Sequence, residues 1–397
     1  MSAIVADRSL DIDGLAVPVQ GTYDERFAGV VDAFIENYAR EDELGSAVSV
    51  VVDGHPVVDL WGGWQDAERT RPWEADTLVC MMSVAKGISA IAFNMLLDRG
   101  LVDLDAPVAQ YWPEFAANGK AALPVRYLLD HRAGLPVLTP DKLWPGAMFD
   151  REAMVAALAA QAPLWEPGTV AAYHVHTQGY LLSEIARRVT GSLLGEFVAS
   201  EIARPLGADY HLGVAEADLD RITDLVPNPG ARLVAARDAE PADSLRGLAF
   251  AQNPPWPWAR TFNSREFRTM DMPSASGHGN ARAVARIYGA LAGGDAGSAR
   301  LMSDGAIERM TEMQHDMIEL LQERHYRQGL GVLLNSPGAV YMGPHPDAFG
   351  HHGIGGSIGF ADRRERVGFS YSMNKMHAVG TNGPRAARLI DAVYAAL

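Results

Sequence analysis

Two residues of this 397-residue chain have types and a spacing that could do chemistry: Ser83 and Lys86, a serine and a lysine three positions apart. Residues i and i+3 of a helix share one face, so the lysine amine can reach back to the serine oxygen. A serine hydroxyl is a weak nucleophile until a base removes its proton, and a desolvated, neutral lysine can be that base. The pair therefore indicates a nucleophilic serine, although the same spacing also occurs by chance.

The sequence around this pair predicts the start of a helix. Ser83 is a residue type favoured at N-caps, and apolar side chains then repeat at helical spacing until Gly100. The repeating residues are Ile88, Ile91, Ala92, Met95 and Leu96. On these residues alone, the simpler alternative is that Ser83 only caps the helix and Lys86 is a solvated surface lysine.

Two further segments complete the candidate site. A tyrosine held beside a lysine ammonium is predicted to have a lowered pKa, and Tyr173 could then relay a proton between Ser83 and a leaving group. The segment 349–357 is rich in glycine and leads into a predicted strand. Its backbone N–H groups can therefore come close to a substrate, as an oxyanion hole requires.

The elements that must position these residues are predicted at both ends of the chain, around a mainly helical middle. They are a helix over residues 23–38, a hairpin of strands 47–52 and 56–61 around Asp53-Gly54, strands at 357–361 and 367–373, and a final helix after Asn382. We expect an α+β fold whose antiparallel sheet is flanked by N- and C-terminal helices. The predicted domains are a discontinuous α/β sheet domain (1–82 and 293–397) and an inserted, mainly helical domain (83–292), with the active site between them.

Composition narrows the class of partner. The chain has 34 Lys and Arg against 49 Asp and Glu, a net charge of −15, and no basic run. This balance argues against nucleic acid or an anionic membrane as a partner. One cysteine, Cys80, excludes an intramolecular disulfide and indicates a buried small hydrophobe. The first residues lack a basic n-region, and we expect a cytoplasmic protein.

Five landmarks together resemble the serine hydrolases of the class C β-lactamase and penicillin-binding protein superfamily, and most of all the family VIII carboxylesterases. The resemblance runs in the family's order from about Phe27 to the C-terminus. The landmarks are Ser83-Val84-Ala85-Lys86, Leu-Leu-Asp-His-Arg-Ala-Gly-Leu-Pro at 128–136, Pro167-Gly168-Thr169 before Tyr173, Ser-Gly-His-Gly-Asn-Ala at 276–281, and His351-His352-Gly353.

The resemblance implies a β-lactamase-like fold and a role for each site residue. Ser83 would be the acylated nucleophile, and Lys86 and Tyr173 would share the acid and base work. The backbone N–H groups of Ser83 and Ile354 would form the oxyanion hole, with Gly355 as the alternative to Ile354. His351 and Gly353 would lie beside the substrate. No metal or organic cofactor is implied, and the implied partner is a small-molecule ester.

Two departures from the β-lactamases favour an esterase. Their tyrosine motif ends in asparagine where this chain has Val175, and their third motif starts with lysine where this chain has His351. A mostly neutral histidine is a weaker anchor for a carboxylate than lysine. Neutral esters need neither the asparagine nor the lysine. We expect substrates with short to medium acyl chains, because nothing in the sequence indicates a lid helix. The alternatives are an amidase or D-aminopeptidase, an acyltransferase or a weak β-lactamase on the same site, or a non-catalytic acyl-binding scaffold.

Other motifs have weaker functional interpretations. Trp256 and Trp258, in a proline-rich loop, are either a substrate-pocket wall or ordinary loop packing. The segment 355–359 matches the G-x-S-x-G nucleophile elbow, but too little chain follows Ser357 to supply the acid and the histidine that such an elbow needs. His131 is expected to hold a loop in place. The remaining histidines lack a zinc-ligand pattern.

Overall fold

The computed structural model describes the whole chain except residues 1–2, 13, 143–145, 229–239, 242, 251–260, 294–298 and 380. Its strands are β1 (Ala3–Ile12), β2 (Leu15–Asp24), β3 (Gly45–Val52), β4 (His55–Gly63), β5 (Val79–Cys80), β6 (Tyr210–Leu212), β7 (Gly277–Gly279), β8 (His315–Glu319), β9 (Arg324–Gln328), β10 (Leu333–Leu334), β11 (Phe349–His352), β12 (Ile358–Asp362) and β13 (Val367–Met373).

The α-helices lie mainly between β4 and β8. They are α1 (Ala28–Arg40), α2 (Val84–Asp98), α3 (Arg126–Leu129), α4 (Arg151–Ala160), α5 (Thr177–Thr190), α6 (Leu194–Val198), α7 (Arg204–Leu206), α8 (Leu245–Phe250), α9 (Arg265–Thr269), α10 (Ala281–Ala292), α11 (Asp304–Thr311) and α12 (Gly383–Ala396). Within the described residues, none of these helices has the length and apolar character needed to cross a bilayer.

Ten strands form one antiparallel sheet in the order β1-β2-β4-β3-β13-β12-β11-β10-β9-β8. The predicted hairpin is present, because β3 and β4 pair around Asp53 and Gly54, both of which have positive φ. Strand β13 pairs with β3 along its whole length. The sheet is therefore built from both ends of the chain, and the predicted fold class is confirmed.

Helices cover both faces of this sheet. The terminal helices α1 and α12 pack on one face, where Phe34 and Leu389 belong to one buried apolar cluster with Val48. Helix α10 packs on β3 and β13 at the other face, and a Cβ added to Gly289 would lie 2.9 Å from Val51 Cγ1. This helix falls within the predicted helical insertion, and the division into two domains stays a prediction.

The N-terminal hairpin β1–β2 and the strands β8 to β11 were not predicted. Strand β1 is an edge strand and most of its residues are exposed, so its sequence lacks a clear buried alternation. Strand β8 is also an edge strand, and β10 has two residues. A strand of two residues is too short to show an alternating pattern. A polar edge strand such as β8 gives a weak pattern, since only one of its flanks is paired.

A buried ion pair joins the C-terminal helix to the sheet. Arg385 of α12 lies 3.0 Å from a carboxylate oxygen of Glu43, and both side chains are almost inaccessible to solvent. Tyr371 of β13 donates its hydroxyl to the same carboxylate. Arg385 also donates to the backbone oxygens of Glu41 and Lys375. A charge buried in this way is tolerated only while its partner remains.

We predict that Arg385→Met lowers the free energy of unfolding by about 3–5 kcal/mol, because it leaves the Glu43 carboxylate buried without its cation. Urea denaturation measures the change. The matched control is Arg300→Met, which removes an exposed pair with Asp304 and should cost less than about 1 kcal/mol. Equal losses in the two variants would contradict the prediction.

Candidate active site

Ser83 lies at the turn between β5 and helix α2. The preceding residue, Met82, has φ 51°, a conformation that non-glycine residues rarely adopt. The backbone N–H of Met81 donates to Gly277 O at 2.8 Å, which ties the turn to β7. Ser83 occupies the N-cap position of α2, but its hydroxyl makes no capping hydrogen bond. The Ser83 hydroxyl therefore does not cap the helix, contrary to the simpler alternative in which Ser83 is only an N-cap.

Lys86 is buried one turn into the same helix, with a relative exposure of 2%. Its Nζ donates to the backbone oxygens of Val175 at 2.6 Å and Ser274 at 2.9 Å. Burial holds the pKa of Lys86 well below its ordinary value. A buried amine with a lowered pKa has a larger neutral, basic fraction at a given pH than a solvated lysine. The surface-lysine alternative is therefore wrong.

Tyr173 brings a phenol to Ser83 from the segment that precedes helix α5. The Ser83 side chain lies close enough to its hydroxyl to stabilise the phenolate, and Lys86 Nζ lies 4.7 Å from the centroid of its ring. Burial raises the pKa of Tyr173 above its ordinary value, an effect larger than the opposing influence of the Ser83 side chain. The expectation of a lowered tyrosine pKa is wrong, because desolvation disfavours the phenolate, and burial also lowers the charged fraction of the lysine that was to stabilise it.

Two residues outside the predicted site hold the backbone around Tyr173. The His131 ring lies 4.9 Å from the tyrosine ring, and its Nδ1 accepts the N–H of His174 at 3.2 Å. The structure thus places His131 at the site, in the loop-holding position that was expected. Glu319 accepts the N–H of Tyr173 at 2.8 Å. Glu319 was not among the predicted site residues, because it stands in no motif and is brought to the site by strand β8.

The glycine-rich segment packs against the residues that precede Ser83. A Cβ added to Gly353 would lie 2.2 Å from Met81 O, so this approach requires glycine. Half-buried Ile354 follows at the turn between β11 and β12. Within the described part of the chain, neither the Ser83 nor the Ile354 N–H donates a backbone hydrogen bond. The approach of Gly353 to Met81 brings the turn that carries Ile354 near the start of helix α2, and both N–H groups lack a backbone acceptor there.

The other predicted site residues have different positions. His351 is buried with its ring 6.1 Å from that of Tyr173, and its pKa is held well below the ordinary value, chiefly by burial. Gly355 continues the turn with φ 100°. Trp256 and Trp258 lie outside the described residues.

The elbow interpretation of Ser357 does not fit the fold. Ser357 is buried immediately before the antiparallel strand β12, whereas an elbow requires a strand, a turn and a helix. Its backbone oxygen accepts the N–H of Gly353 at 2.7 Å, so it closes the turn beside Ile354. Among the described residues, no three His, Cys, Asp or Glu side chains are grouped as metal ligands.

Comparison with known proteins establishes the family. Residues 30–394 match the Beta-lactamase family, and the chain belongs to it. The chain is 36% identical to Esterase/beta-lactamase LipL of Mycobacterium tuberculosis over 368 residues, which cover 90% of this chain and 83% of LipL. The family is that of esterase and β-lactamase-type serine hydrolases.

Two solved structures are similar over nearly the whole chain. A family VIII carboxylesterase superposes with a TM-score of 0.86 at 39% identity, covering 96% of this chain and 100% of that one. A penicillin-binding protein homologue from Caulobacter crescentus gives a TM-score of 0.86 at 37% identity, with the same coverage. The resemblance drawn from the five landmarks is confirmed.

We predict that the acid limb of the kcat/KM profile reports Lys86. A base must be neutral, so activity falls as the pH drops through a lysine pKa that lies well below its ordinary value. Burial lowers the pKa values of His174 and His352 to about 4, so these rings stay neutral above about pH 5. Burial also holds the pKa of His351 well below its ordinary value, so His351→Gln should keep the acid limb. Lys86→Arg should lose activity at every pH. Loss of the limb in His351→Gln would contradict the assignment.

We predict that Gly353→Ala lowers kcat/KM for an ester by about 100-fold or more, the scale of losing one oxyanion donor. The added methyl group would meet Met81 O and push the turn that carries Ile354 away from Ser83. Gly305→Ala is the matched control, since its Cβ would meet nothing within 4 Å. Steady-state kinetics of the two folded variants test this, and wild-type activity in Gly353→Ala would refute it.

Proposed function

We propose that this protein is a carboxylesterase that cleaves small esters through an acyl-enzyme on Ser83. The observation that carries the proposal is the grouping of Ser83, Tyr173 and the buried amine of Lys86, in which the Ser83 side chain acts on the tyrosine hydroxyl and Lys86 Nζ lies 4.7 Å from the centroid of the tyrosine ring. Acyl transfer to serine requires such a set: a nucleophile close to a phenol that can relay its proton and to an amine with a lowered pKa. A binding scaffold would not need to keep these three groups together.

The proposed reaction has two halves, acylation and deacylation of Ser83, and one proton moves through the Tyr173–Lys86 pair in each. Ser83 Oγ attacks the ester carbonyl carbon while its proton moves to the coupled Tyr173–Lys86 pair, which ends with Lys86 as the ammonium. Collapse of the tetrahedral adduct breaks the bond to the alcohol oxygen, which takes the proton back from the pair. Water then repeats both steps on the acyl-enzyme and releases the acid.

The oxyanion would be stabilised by the backbone N–H groups of Ser83 and Ile354. Both stand where the β11–β12 turn meets the start of helix α2, so the helix N-terminus adds its partial positive charge. Gly355 is the alternative donor, since the N–H of His377 binds its carbonyl oxygen at 2.7 Å and not its N–H.

The charge of the site favours an uncharged ester. His351 occupies the position where the β-lactamases carry lysine, and its lowered pKa makes it a neutral group at pH 7. Apolar residues contact the tyrosine side of the site, where Val137, Leu248 and Leu321 cluster with Tyr173. These neighbours suit a small apolar acyl or alcohol group, in keeping with short to medium chains. Similarity to the carboxylesterase structure supports the same class.

A β-lactamase activity is the second candidate, because the name of LipL joins esterase and β-lactamase. The neutral His351 argues that any such activity is weak, since it offers no fixed cation to a carboxylate. An amidase and an acyltransferase would use the same groups. Turnover of an amide analogue, or partition of the acyl-enzyme to an added alcohol, would identify them.

The test is hydrolysis of p-nitrophenyl butyrate by the wild type, Ser83→Ala and the matched variant Ser357→Ala, with nitrocefin assayed alongside. We expect Ser83→Ala to lose at least about 10⁴-fold in kcat, as for other serine nucleophiles. Ser357→Ala should keep its turnover, because its hydroxyl is buried in the turn.

Each other outcome has a definite meaning. A dead Ser357→Ala beside an active Ser83→Ala would overturn the mechanism. Faster cleavage of nitrocefin than of the ester would replace the esterase by a β-lactamase. A wild type that is acylated but does not turn over would indicate the binding scaffold.

A further inference from the structure

Tyr173 stands in a segment without regular secondary structure, between helices α4 and α5. A side chain on such a segment keeps its place only if the backbone is held by other groups. One side of the segment is held by His131, whose carbonyl accepts the N–H of Ala172 at 3.1 Å. The opposite side faces the end of strand β8. The N–H of the next residue, Leu320, donates to Ala171 O at 3.0 Å.

Glu319, the last residue of β8, makes the contact to Tyr173 itself. Its side chain is 3% exposed, and Oε2 accepts the N–H groups of Tyr173 at 2.8 Å and Leu321 at 3.1 Å. The other oxygen, Oε1, accepts the N–H of Gln322. Three donors converging on one buried side chain suit a carboxylate, which can only accept when ionised.

Burial alone would make this carboxylate unfavourable. Desolvation raises the pKa of Glu319, and hydrogen bonds from the three N–H groups and the charge of Arg324 oppose the rise. Two of those N–H groups belong to the turn that follows β8, and one belongs to Tyr173, 146 residues earlier in the chain. The carboxylate therefore joins the edge of the large sheet to the backbone of the segment that carries the phenol.

We propose that Glu319 is a positioning residue that fixes the backbone of Tyr173, and through it the distance between the phenol and Ser83. The inference rests on the proposed function, in which Tyr173 moves a proton to and from Ser83. The ring contacts with His131 and Lys86 set the tilt of the phenol, and hydrogen bonds at Ala172 and His174 hold the backbone on either side of it. Glu319 adds the constraint on the N–H of Tyr173 itself.

A displaced phenol costs rate and leaves substrate binding nearly unchanged. Misplacing a reacting group by about 1 Å can cost about 100-fold in rate. The ester itself would contact the β11–β12 turn and the apolar neighbours of Tyr173. Leu321 is the neighbour that Glu319 binds, and it does so through the backbone N–H of Leu321 and not through the apolar side chain. A positioning role therefore predicts a loss in kcat at nearly constant KM, whereas a purely structural role predicts lower stability with normal kcat per folded molecule.

The experiment compares Glu319→Ala and Glu319→Gln with the wild type on p-nitrophenyl butyrate. A p-nitrophenyl alkylphosphonate counts competent Ser83 by its burst of p-nitrophenolate and gives the rate of serine modification. The matched control is Asp316→Ala on the same strand, which removes an exposed carboxylate paired with His325 at 3.0 Å. Thermal melting establishes that each variant is folded.

We expect Glu319→Ala to lose about 10- to 100-fold in kcat and in the phosphonylation rate, with KM within about threefold. Glu319→Gln keeps one acceptor but turns an NH₂ group toward an N–H donor, so its loss should be smaller, about 3- to 10-fold. Asp316→Ala should match the wild type. If kcat is highest with glutamate at position 319, lower with glutamine and lowest with alanine, the result supports positioning through the hydrogen-bond acceptor.

Wild-type kcat and phosphonylation rate in either folded Glu319 variant would overturn the inference while leaving the proposed function intact. If Glu319→Ala does not fold, the near-isosteric Glu319→Gln decides. A wild type inert to the ester but labelled at Ser83 would count against the esterase, and the phosphonylation rates would still test Glu319. A wild type inert to both reagents would overturn the proposed function and this inference together.

Discussion

The structure depends on the desolvation of one lysine. Lys86 is buried beneath the turn that carries Ser83, and among the described residues its amine donates to the backbone carbonyls of Val175 and Ser274. Carbonyl dipoles stabilise an ammonium less than a carboxylate would, so burial holds the pKa of Lys86 well below its ordinary value. The segments that supply these oxygens, at Val175 and Ser274, must therefore meet over the start of helix α2. Their meeting also places Tyr173 beside Ser83.

Much of this arrangement is predictable from sequence because it is local or has a strong pattern. The spacing of Ser83 and Lys86 is a property of one helix turn, and the alternating or helical periodicity of 47–61 and 367–373 predicts buried elements. The glycine at 353 is predictable as a close approach of backbone to a site. The catalytic roles of these residues stay predictions, as does the contribution of Trp256 and Trp258.

What could not be predicted arises from tertiary contact. The direction of the Tyr173 pKa shift depends on burial, which outweighs the neighbouring lysine and is invisible in the sequence. Glu319 looks like an ordinary acidic residue on a polar strand, and only the sheet topology brings it to Tyr173. Strands β1 and β8 were not predicted because they lie at the edges of the sheet, where a strand need not alternate buried and exposed side chains strictly.

The pairing of β3 with β13 has a kinetic consequence. The backbone N–H of Gly45 donates to the side chain of Asn374, 329 residues away in sequence, so this contact closes a very long loop. Such closure is slow compared with local helix formation, and a chain leaving the ribosome cannot complete its central strands until its last elements have emerged. Until β13 has emerged, the flank of β3 that pairs with it is an unpaired strand edge. The proposed active site around Ser83 is thus completed only as one of the final events of folding.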